Sequence, residues 1–272
     1  MRIAANLSLM FTERPLPERI AAARVAGFEG VEIQFPYDHP AETLAAAARA
    51  AAMPVVLINI PAGDTAAGDI GLGALPTRRA EFREGVGRCL SYARALGVRR
   101  VNILSGRPGP GADPAECRAT LLENLRYAAA AFAPHGIRTL IEPVNPADRP
   151  GFFLDRLQPA LDIAREAATP AAGVLFDLYH MARTEPDLAA AIAQAGRLIG
   201  HVQFADTPGR HEPGTGTIDF PAAFAALRRA GYADWVAAEY TPRARTEDGL
   251  GWMPGLRAAL AARLGAVAAS AP

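Results

Sequence analysis

Short apolar runs of β-type residues recur along the chain, and stretches with helical spacing of apolar positions separate them. The runs predict strands near residues 2–6, 30–34, 54–59, 100–104, 138–142, 173–177, 199–204 and 235–239. The intervening stretches predict helices near residues 16–26, 40–51, 77–96, 114–133, 154–167, 186–195, 219–230 and 254–265. Eight consecutive strand–helix units are typical of an α/β protein whose parallel strands close into a (β/α)8 barrel. We therefore predict a single TIM barrel domain over residues 1–272.

Glycines support this division of the chain. Five of them stand where a predicted helix should end before the next strand: Gly27, Gly97, Gly136, Gly200 and Gly231. The main alternative is an open, doubly wound sheet. That fold usually has a glycine-rich turn after its first strand, whereas residues 7–10 contain no glycine.

Polar side chains end four consecutive predicted strands, the fifth to the eighth: Glu142, Asp177, Gln203 and Glu239. Because side chains alternate along a strand, all four fall on the face that points into the barrel, at the end where barrel enzymes carry their chemistry. Three carboxylates and an amide oxygen would repel one another there unless a cation lay among them. We predict that these four residues bind a divalent metal. Oxygen ligands without cysteine favour Mg²⁺, Mn²⁺ or Co²⁺, with Mg²⁺ or Mn²⁺ expected first.

A metal holding a carbonyl oxygen and a neighbouring hydroxyl would stabilise an enediolate, and flanking glutamates could then move the proton. His180 follows Asp177 by three residues, and we place it on the loop that leaves strand six. A neutral imidazole there could hydrogen-bond and polarise a substrate carbonyl. The alternative is that His180 only orients Asp177.

Other polar residues near the same face are candidates to contact a substrate. Arg210 and His211, in a long loop, could hold an anionic end of a substrate, since the guanidinium fork matches a carboxylate. Equally, both could be solvated loop residues. Asn6 and Asn59 end strands and should line the pocket or satisfy buried polar groups. Glu32 also ends a strand and needs a partner if it is buried.

Three long loops follow strands, over about residues 60–76, 105–113 and 205–218. Loops at the catalytic face of a barrel usually take part in function. Alternatively, these loops only cover the barrel mouth.

Composition excludes several kinds of protein. The 28 basic and 28 acidic residues give a formal net charge of zero, so no nucleic-acid partner is indicated. The sequence contains no lysine, which excludes Schiff-base aldolases, pyridoxal-phosphate enzymes and P-loop nucleotide binding. The chain shows no signal-peptide pattern and no membrane-spanning run. Cys89 and Cys117 are expected to be packing thiols, so we predict a cytoplasmic location. The sequence is compatible with both a monomer and a homo-oligomer.

Several strings of residues, read together, resemble the hydroxypyruvate isomerase family of the xylose-isomerase-like barrel superfamily. They occur at residues 5–8, 35–38, 61–64, 123–129, 141–143, 177–181 and 212–216, and the match runs from about residue 2 to 253. The related 2-oxo-tetronate isomerase shares most of them. The resemblance implies an aldose–ketose type isomerisation of hydroxypyruvate to tartronate semialdehyde. It also implies that Glu142 and Glu239 are the acid/base pair as well as metal ligands, with Asp177 and Gln203 completing a site for Mg²⁺ or a similar ion.

Two positions depart from that family pattern. Ile58 stands where a histidine or aromatic residue is usual, and Thr65 stands where tryptophan is frequent. Both changes are expected to alter the mouth of the pocket and so the choice of substrate, such as a four-carbon oxo acid. The remaining alternatives are a ketose 3-epimerase, a DNA-repair endonuclease of similar barrel type and a non-catalytic barrel that binds a sugar acid. Neutral charge and only five histidines argue against the endonuclease.

Overall fold

The computed structural model describes residues 1–261. Eight parallel strands close into a barrel in sequence order, with β1 hydrogen-bonded to β8. The strands are β1 (Arg2–Asn6), β2 (Gly30–Ile33), β3 (Val55–Asn59), β4 (Arg100–Ile103), β5 (Arg138–Ile141), β6 (Ala172–Asp177), β7 (Ile199–Phe204) and β8 (Trp235–Ala238). The predicted closed barrel is confirmed. Both ends of every predicted strand lie within two residues of the ends of the observed strand.

The helices surround the barrel: α1 (Leu16–Val25), α2 (Ala41–Ala50), α3 (Arg79–Leu96), α4 (Pro114–Phe132), α5 (Leu157–Glu166), α6 (Leu178–Ala182), α7 (Leu188–Ala195), α8 (Phe220–Arg229) and α9 (Met253–Ala261). The prediction of a loop after strand six is wrong, because α6 begins directly at the end of β6. The Asp177 side chain caps this short helix by accepting a hydrogen bond from the Tyr179 amide at 2.9 Å. The predicted end of the last helix, residue 265, lies outside the described residues.

Alternation along the strands produces two separate apolar regions. The barrel interior is filled by a small cluster: Ala4, Val56, Leu57, Leu140, Leu175, Trp235 and Ala237. The opposite strand faces pack against the helices in a much larger core that includes Val202 and Phe204. This confirms the expected inward phase, since Leu140, Leu175 and Ala237 lie one inward position before Glu142, Asp177 and Glu239.

Gly200 does not end a helix, contrary to the prediction. It lies within β7, where a Cβ atom would come 2.3 Å from Cδ2 of Leu140, so a larger residue would not fit the barrel interior. Gly196, at φ 51°, follows α7 instead. The close packing below the catalytic end of the barrel therefore depends on a residue without a side chain.

Cys89 and Cys117 are both free and buried, in α3 and α4, which confirms that they are packing thiols. Within residues 1–261, none of the helices combines the length and the apolar character needed to cross a membrane.

Candidate active site

The four polar residues predicted from the strand ends lie together at the carboxyl end of the barrel, and all are buried. Asp177 and Gln203 are opposite each other in the register between β6 and β7. Glu142 and Glu239 stand one residue beyond the ends of β5 and β8. The barrel strands and the residues directly after them therefore bring these side chains together.

Glu142, Asp177 and His180 form a compact group in which one ligand atom from each lies within 4.8 Å of the others. Nε2 of His180 is 3.5 Å from Oδ2 of Asp177 and 3.9 Å from Oε1 of Glu142. The second oxygen of Glu142 accepts a hydrogen bond from Nδ2 of Asn102 at 2.8 Å. Two carboxylates and an imidazole thus converge at one point.

The hydrogen bonds of Asn145 determine which nitrogen of His180 carries the proton. Oδ1 of Asn145 accepts from the backbone N–H of Asp148 at 3.0 Å and from Nε of Arg183 at 3.2 Å. Its Nδ2 must then be the atom 2.7 Å from Nδ1 of His180. Since Nδ1 accepts this hydrogen bond, the proton of the neutral ring belongs on Nε2. His180 therefore faces the site as a hydrogen-bond donor, which suits a substrate oxygen better than a metal.

Glu239 is held by three donors. Its Oε1 accepts from Nη2 of Arg210 at 2.6 Å and from Nε2 of Gln34 at 3.1 Å. Its Oε2 accepts from Nδ2 of Asn6 at 3.0 Å. The same Arg210 nitrogen is 3.5 Å from Oδ2 of Asp177, so one guanidinium lies between two of the predicted metal ligands.

Glu32 lies beneath these residues, completely buried, and has the partners that a buried carboxylate requires. Its Oε2 accepts from Nε2 of Gln203 at 2.8 Å and from Nδ2 of Asn6 at 3.1 Å, and its Oε1 contacts His201. Because Nε2 of Gln203 is directed at Glu32, its Oε1 is directed away and has no hydrogen-bond partner among the described residues. Glu32 therefore fixes which end of the Gln203 amide is available to a ligand.

Burial and mutual repulsion change the acidity of these groups. Burial, reinforced by the charge of Asp177, raises the pKa of Glu142 to about 8. Burial raises the pKa of Asp177 to about 6 and that of Glu239 well above its usual range, although the Arg210 charge opposes both shifts. Burial, reinforced by the charge of Arg210, lowers the pKa of His180 well below its usual value, so the imidazole is neutral.

The residues present fit a divalent cation. The Glu142 and Asp177 oxygens converge, burial raises the pKa of both carboxyl groups, and the buried Oε1 of Gln203 has no partner among residues 1–261. These are oxygen donors of the kind that Mg²⁺ and Mn²⁺ prefer. Glu239 is less available to a cation than Glu142 and Asp177, because its oxygens already accept hydrogen bonds from Arg210, Gln34 and Asn6.

A cavity of about 460 Å³ opens above the carboxylates. Glu142, His180, Arg210 and Glu239 form part of its wall, together with Asn59. Asn6, Asp177 and Gln203 do not line it and lie beneath its floor. Asn59 and Arg210 lie in the wall, which fits their predicted contact with a substrate. Asn6 instead donates hydrogen bonds to Glu239 and Glu32, and its contact with a substrate stays a prediction.

Positions 58 and 65, which depart from the family pattern, differ in their relation to this cavity. Thr65 lies in its wall. Ile58 is completely buried in the core between strands and helices, so the expectation that it alters the mouth is wrong. The reason is alternation, since Leu57 points into the barrel and Ile58 points away from it. His211 is directed at the carbonyl of Thr241, which its Nδ1 approaches to 2.7 Å.

Sequence reasoning missed Gln34 and Asn145, which contact Glu239 and His180. Gln34 shares the inward phase of Glu32 and follows β2 directly, so strand alternation could have revealed it. Asn145 lies three residues past Glu142 in an irregular segment, and no periodic signal marks it.

Comparisons with known proteins identify the family of the chain. The family model for xylose isomerase-like TIM barrels matches residues 20–256. The 2-oxo-tetronate isomerase of Cupriavidus necator is 44% identical over 93% of this chain and 97% of its own length. The hydroxypyruvate isomerase of Escherichia coli is 42% identical over 93% and 98%, respectively.

Solved structures show the same barrel. A crystal structure described as AP endonuclease, family 2, from Brucella melitensis has a TM-score of 0.91 at 42% identity, covering 93% of this chain and 98% of that one. The 3-keto-D-glucoside 4-epimerase of Escherichia coli has a TM-score of 0.78 at 24% identity over 95% and 99%, a likeness that concerns the fold alone.

Proposed function

Because the chain belongs to the family of xylose isomerase-like TIM barrels, we propose that it is an isomerase that interconverts small hydroxy-oxo acids. Two relatives that match nearly the whole chain are named for such reactions, with hydroxypyruvate in one case and 2-oxo-tetronate in the other. The observation that carries the proposal is the pair of buried glutamates, Glu142 and Glu239, in the wall of a cavity that also contains the Nε2 of His180.

The reaction requires one hydrogen to move between neighbouring carbons of the substrate. One glutamate carboxylate removes the proton from the hydroxyl-bearing carbon, which leaves an enediolate. The other returns a proton to the former carbonyl carbon, and the hydroxyl proton passes to the former carbonyl oxygen. In the metal-free protein burial raises the pKa of both carboxyl groups, so each can accept and hold a proton.

The other residues of the site orient the substrate and stabilise the negative charge that develops on its oxygen. The Nε2–H of His180 donates to the oxygen that gains negative charge, and the neutral ring does so without protonating it prematurely. Glu142, Asp177, Gln203 and Glu239 would hold the divalent cation, with Mg²⁺ or Mn²⁺ proposed. When bound, the cation would act as a Lewis acid that offsets the charge on the substrate oxygens.

Replacement of each glutamate tests the assignment. We expect Glu142→Gln and Glu239→Gln to lower turnover of hydroxypyruvate or 2-oxo-tetronate by about 10² or more, since a proton-transfer group is removed. Products are followed by NMR in deuterated water, which also identifies the labelled carbon and so separates an isomerase from a 3-epimerase. Glu84→Gln, an exposed change on α3, is the matched control. Near-normal turnover in both site variants would refute the assignment.

The description of the Brucella structure makes a nuclease the second activity to examine. The formal net charge of zero gives no general attraction for a polyanion. We therefore expect the preparation that isomerises hydroxy-oxo acids to leave DNA with abasic sites intact when Mg²⁺ or Mn²⁺ is added. We further propose a cytoplasmic location, which fits the two free, buried thiols.

A further inference from the structure

Arg210, the arginine expected to bind the acid end of a substrate, already has its charge satisfied. Its Nη2 lies 2.6 Å from Oε1 of Glu239 and 3.5 Å from Oδ2 of Asp177. An anionic substrate would therefore compete with two buried carboxylates for this guanidinium. Arginines of the cavity that have no acidic partner are the stronger candidates to bind the carboxylate of the substrate.

Two other arginines, Arg107 and Arg149, lie in the cavity wall. Within residues 1–261 neither forms an ion pair, unlike Arg78, which holds the Asp69 carboxylate in the same wall. They come from adjacent loops, which follow β4 and β5. Arg149 also faces His180 closely enough for its charge to lower the pKa of that imidazole. The mouth of the cavity thus presents two solvent-exposed positive charges that have no acidic partner among the described residues.

One hydrogen bond orients the exposed side chain of Arg107. Its Nε donates to the carbonyl of Pro150 at 2.8 Å, so its stem lies across the loop that carries Arg149. Its terminal nitrogens make no hydrogen bond to a described residue. A guanidinium held by its Nε and free at both Nη atoms keeps the fork that binds a carboxylate with two parallel hydrogen bonds.

The backbone under Arg107 is equally constrained. A Cβ atom on Gly106 would lie 2.1 Å from the carbonyl oxygen of Gly71, so the loop after β3 packs directly against the loop after β4. On the other side, the Phe153 amide donates to the carbonyl of Gly106 at 2.9 Å. Three neighbouring loops are therefore joined around this one residue, which reduces the entropy lost when a ligand binds.

We propose that Arg107 and Arg149 form a cationic clamp that binds the carboxylate of the substrate and selects short oxo acids over neutral hydroxy ketones of the same length. This inference rests on the proposed isomerase function and names its specificity-determining residues. In this arrangement the arginines bind the acid group at the rim, and the carbonyl and hydroxyl groups of the substrate face Glu142 and Glu239 in the wall.

Selectivity is measured with a matched pair of substrates, hydroxypyruvate and dihydroxyacetone. Hydroxypyruvate carries a carboxylate where dihydroxyacetone carries a hydroxymethyl group. We expect Arg107→Gln and Arg149→Gln each to lower the acid-to-neutral ratio of kcat/KM by roughly 10- to 100-fold, mainly through the KM of the acid. Arg229→Gln, an exposed charge removal in the last turn of α8, is the control and should leave the ratio unchanged. An unchanged ratio in both clamp variants would overturn the proposal.

A binding experiment separates this inference from the proposed function. D-Glycerate has the carboxylate and hydroxyl groups but no carbonyl, so it cannot be isomerised, and its affinity is measured by calorimetry on the metal-loaded protein. We expect the double variant of Arg107 and Arg149 to bind it at least tenfold more weakly than the wild type and the Arg229→Gln protein. Equal affinity in all three would refute the clamp. If the wild type turns over no oxo acid, the isomerase proposal fails, while this comparison still decides the clamp.

Discussion

At the scale of single residues, the amide of Asn145 sets the hydrogen-bonding character of His180. Asn145 is not part of the cavity wall, but its Oδ1 is fixed by Asp148 and Arg183 and its Nδ2 by the ring nitrogen. The imidazole is therefore fixed in one tautomer as well as one orientation. An oxygen in place of Nδ2 would accept a hydrogen bond instead of donating one, so the ring proton of His180 would move to Nδ1.

This reversal can be tested with Asn145→Asp, which changes one atom type. We expect the new carboxylate to accept from Nδ1, so that Nε2 loses its proton and turnover falls by about 10². The pKa of His180 should also rise, because the new charge favours the imidazolium. Nitrogen NMR shifts of His180 report the tautomer directly, and Asp162→Asn on α5 is an exposed control for the same kind of exchange. A wild-type ring protonated at Nδ1 would contradict the argument.

At the scale of elements, the loop over residues 205–218 holds Arg210 over the site. Asp206 is buried and organises this loop through four backbone amides. Its Oδ1 accepts from Thr207 and Ile218, and its Oδ2 accepts from Gly214 and Gly216, at 2.8 to 3.1 Å. Arg210 itself has φ 54°, an uncommon conformation for a residue with a side chain. The hydrogen bonds to Asp206 stabilise a loop that contains this strained residue.

Asp206→Asn should therefore loosen the loop. The amide keeps one acceptor oxygen and turns the other into a donor that faces backbone N–H groups, so we expect a loss of about 1–3 kcal/mol in the free energy of unfolding. Hydrogen exchange within residues 205–218 should accelerate, and turnover should fall as Arg210 becomes mobile. Asp219→Asn preserves the cap of α8 and should change little. Exchange that stays slow in the Asp206 variant would show that other contacts hold the loop.

The sequence allowed most elements to be predicted, because strand and helix periods repeat eight times and the barrel imposes one inward phase on every strand. Glu142, Asp177, Gln203 and Glu239 followed from that phase alone. The helix α6 was missed because it is only five residues long and its cap is a predicted metal ligand. The contacts of Asn145, Arg107 and Asp206 join loops that are distant in sequence, and no local pattern encodes such contacts.

At the scale of the whole molecule, the barrel concentrates negative charge at one end. Glu32, Glu142, Asp177 and Glu239 are all buried there, and Arg210 is the guanidinium that forms ion pairs with two of them. In the metal-free protein the folded state should keep a proton on Glu142 up to a pH of about 8, while the unfolded chain releases it near the usual pKa of 4.5. Stability is then lost as the pH rises between these values.

We accordingly expect the melting temperature of the metal-free protein to fall between pH 5 and about pH 8, in the range set by the raised pKa of Glu142. Added Mn²⁺ should raise it, and more at pH 8 than at pH 5, because protons compete with the cation. At a concentration 100 times the Kd, binding adds about 2.7 kcal/mol. Differential scanning calorimetry measures both effects. Glu142→Gln should reduce the pH dependence but not abolish it, because the raised pKa values of Asp177 and Glu239 also contribute. A flat curve in the wild type would contradict the charge argument.

The contact between Gly71 and Gly106 has a consequence for how such a protein can change. It joins the rim loops to each other, whereas Glu142, Asp177 and Glu239 depend on the strands. Much of the rim is therefore built separately from the strand ends that carry the carboxylates. A designer, or natural selection, can exchange the loops after β3 and β4 together and retarget the enzyme to acids of another length, provided that Asn145 in the loop after β5 is kept to hold His180.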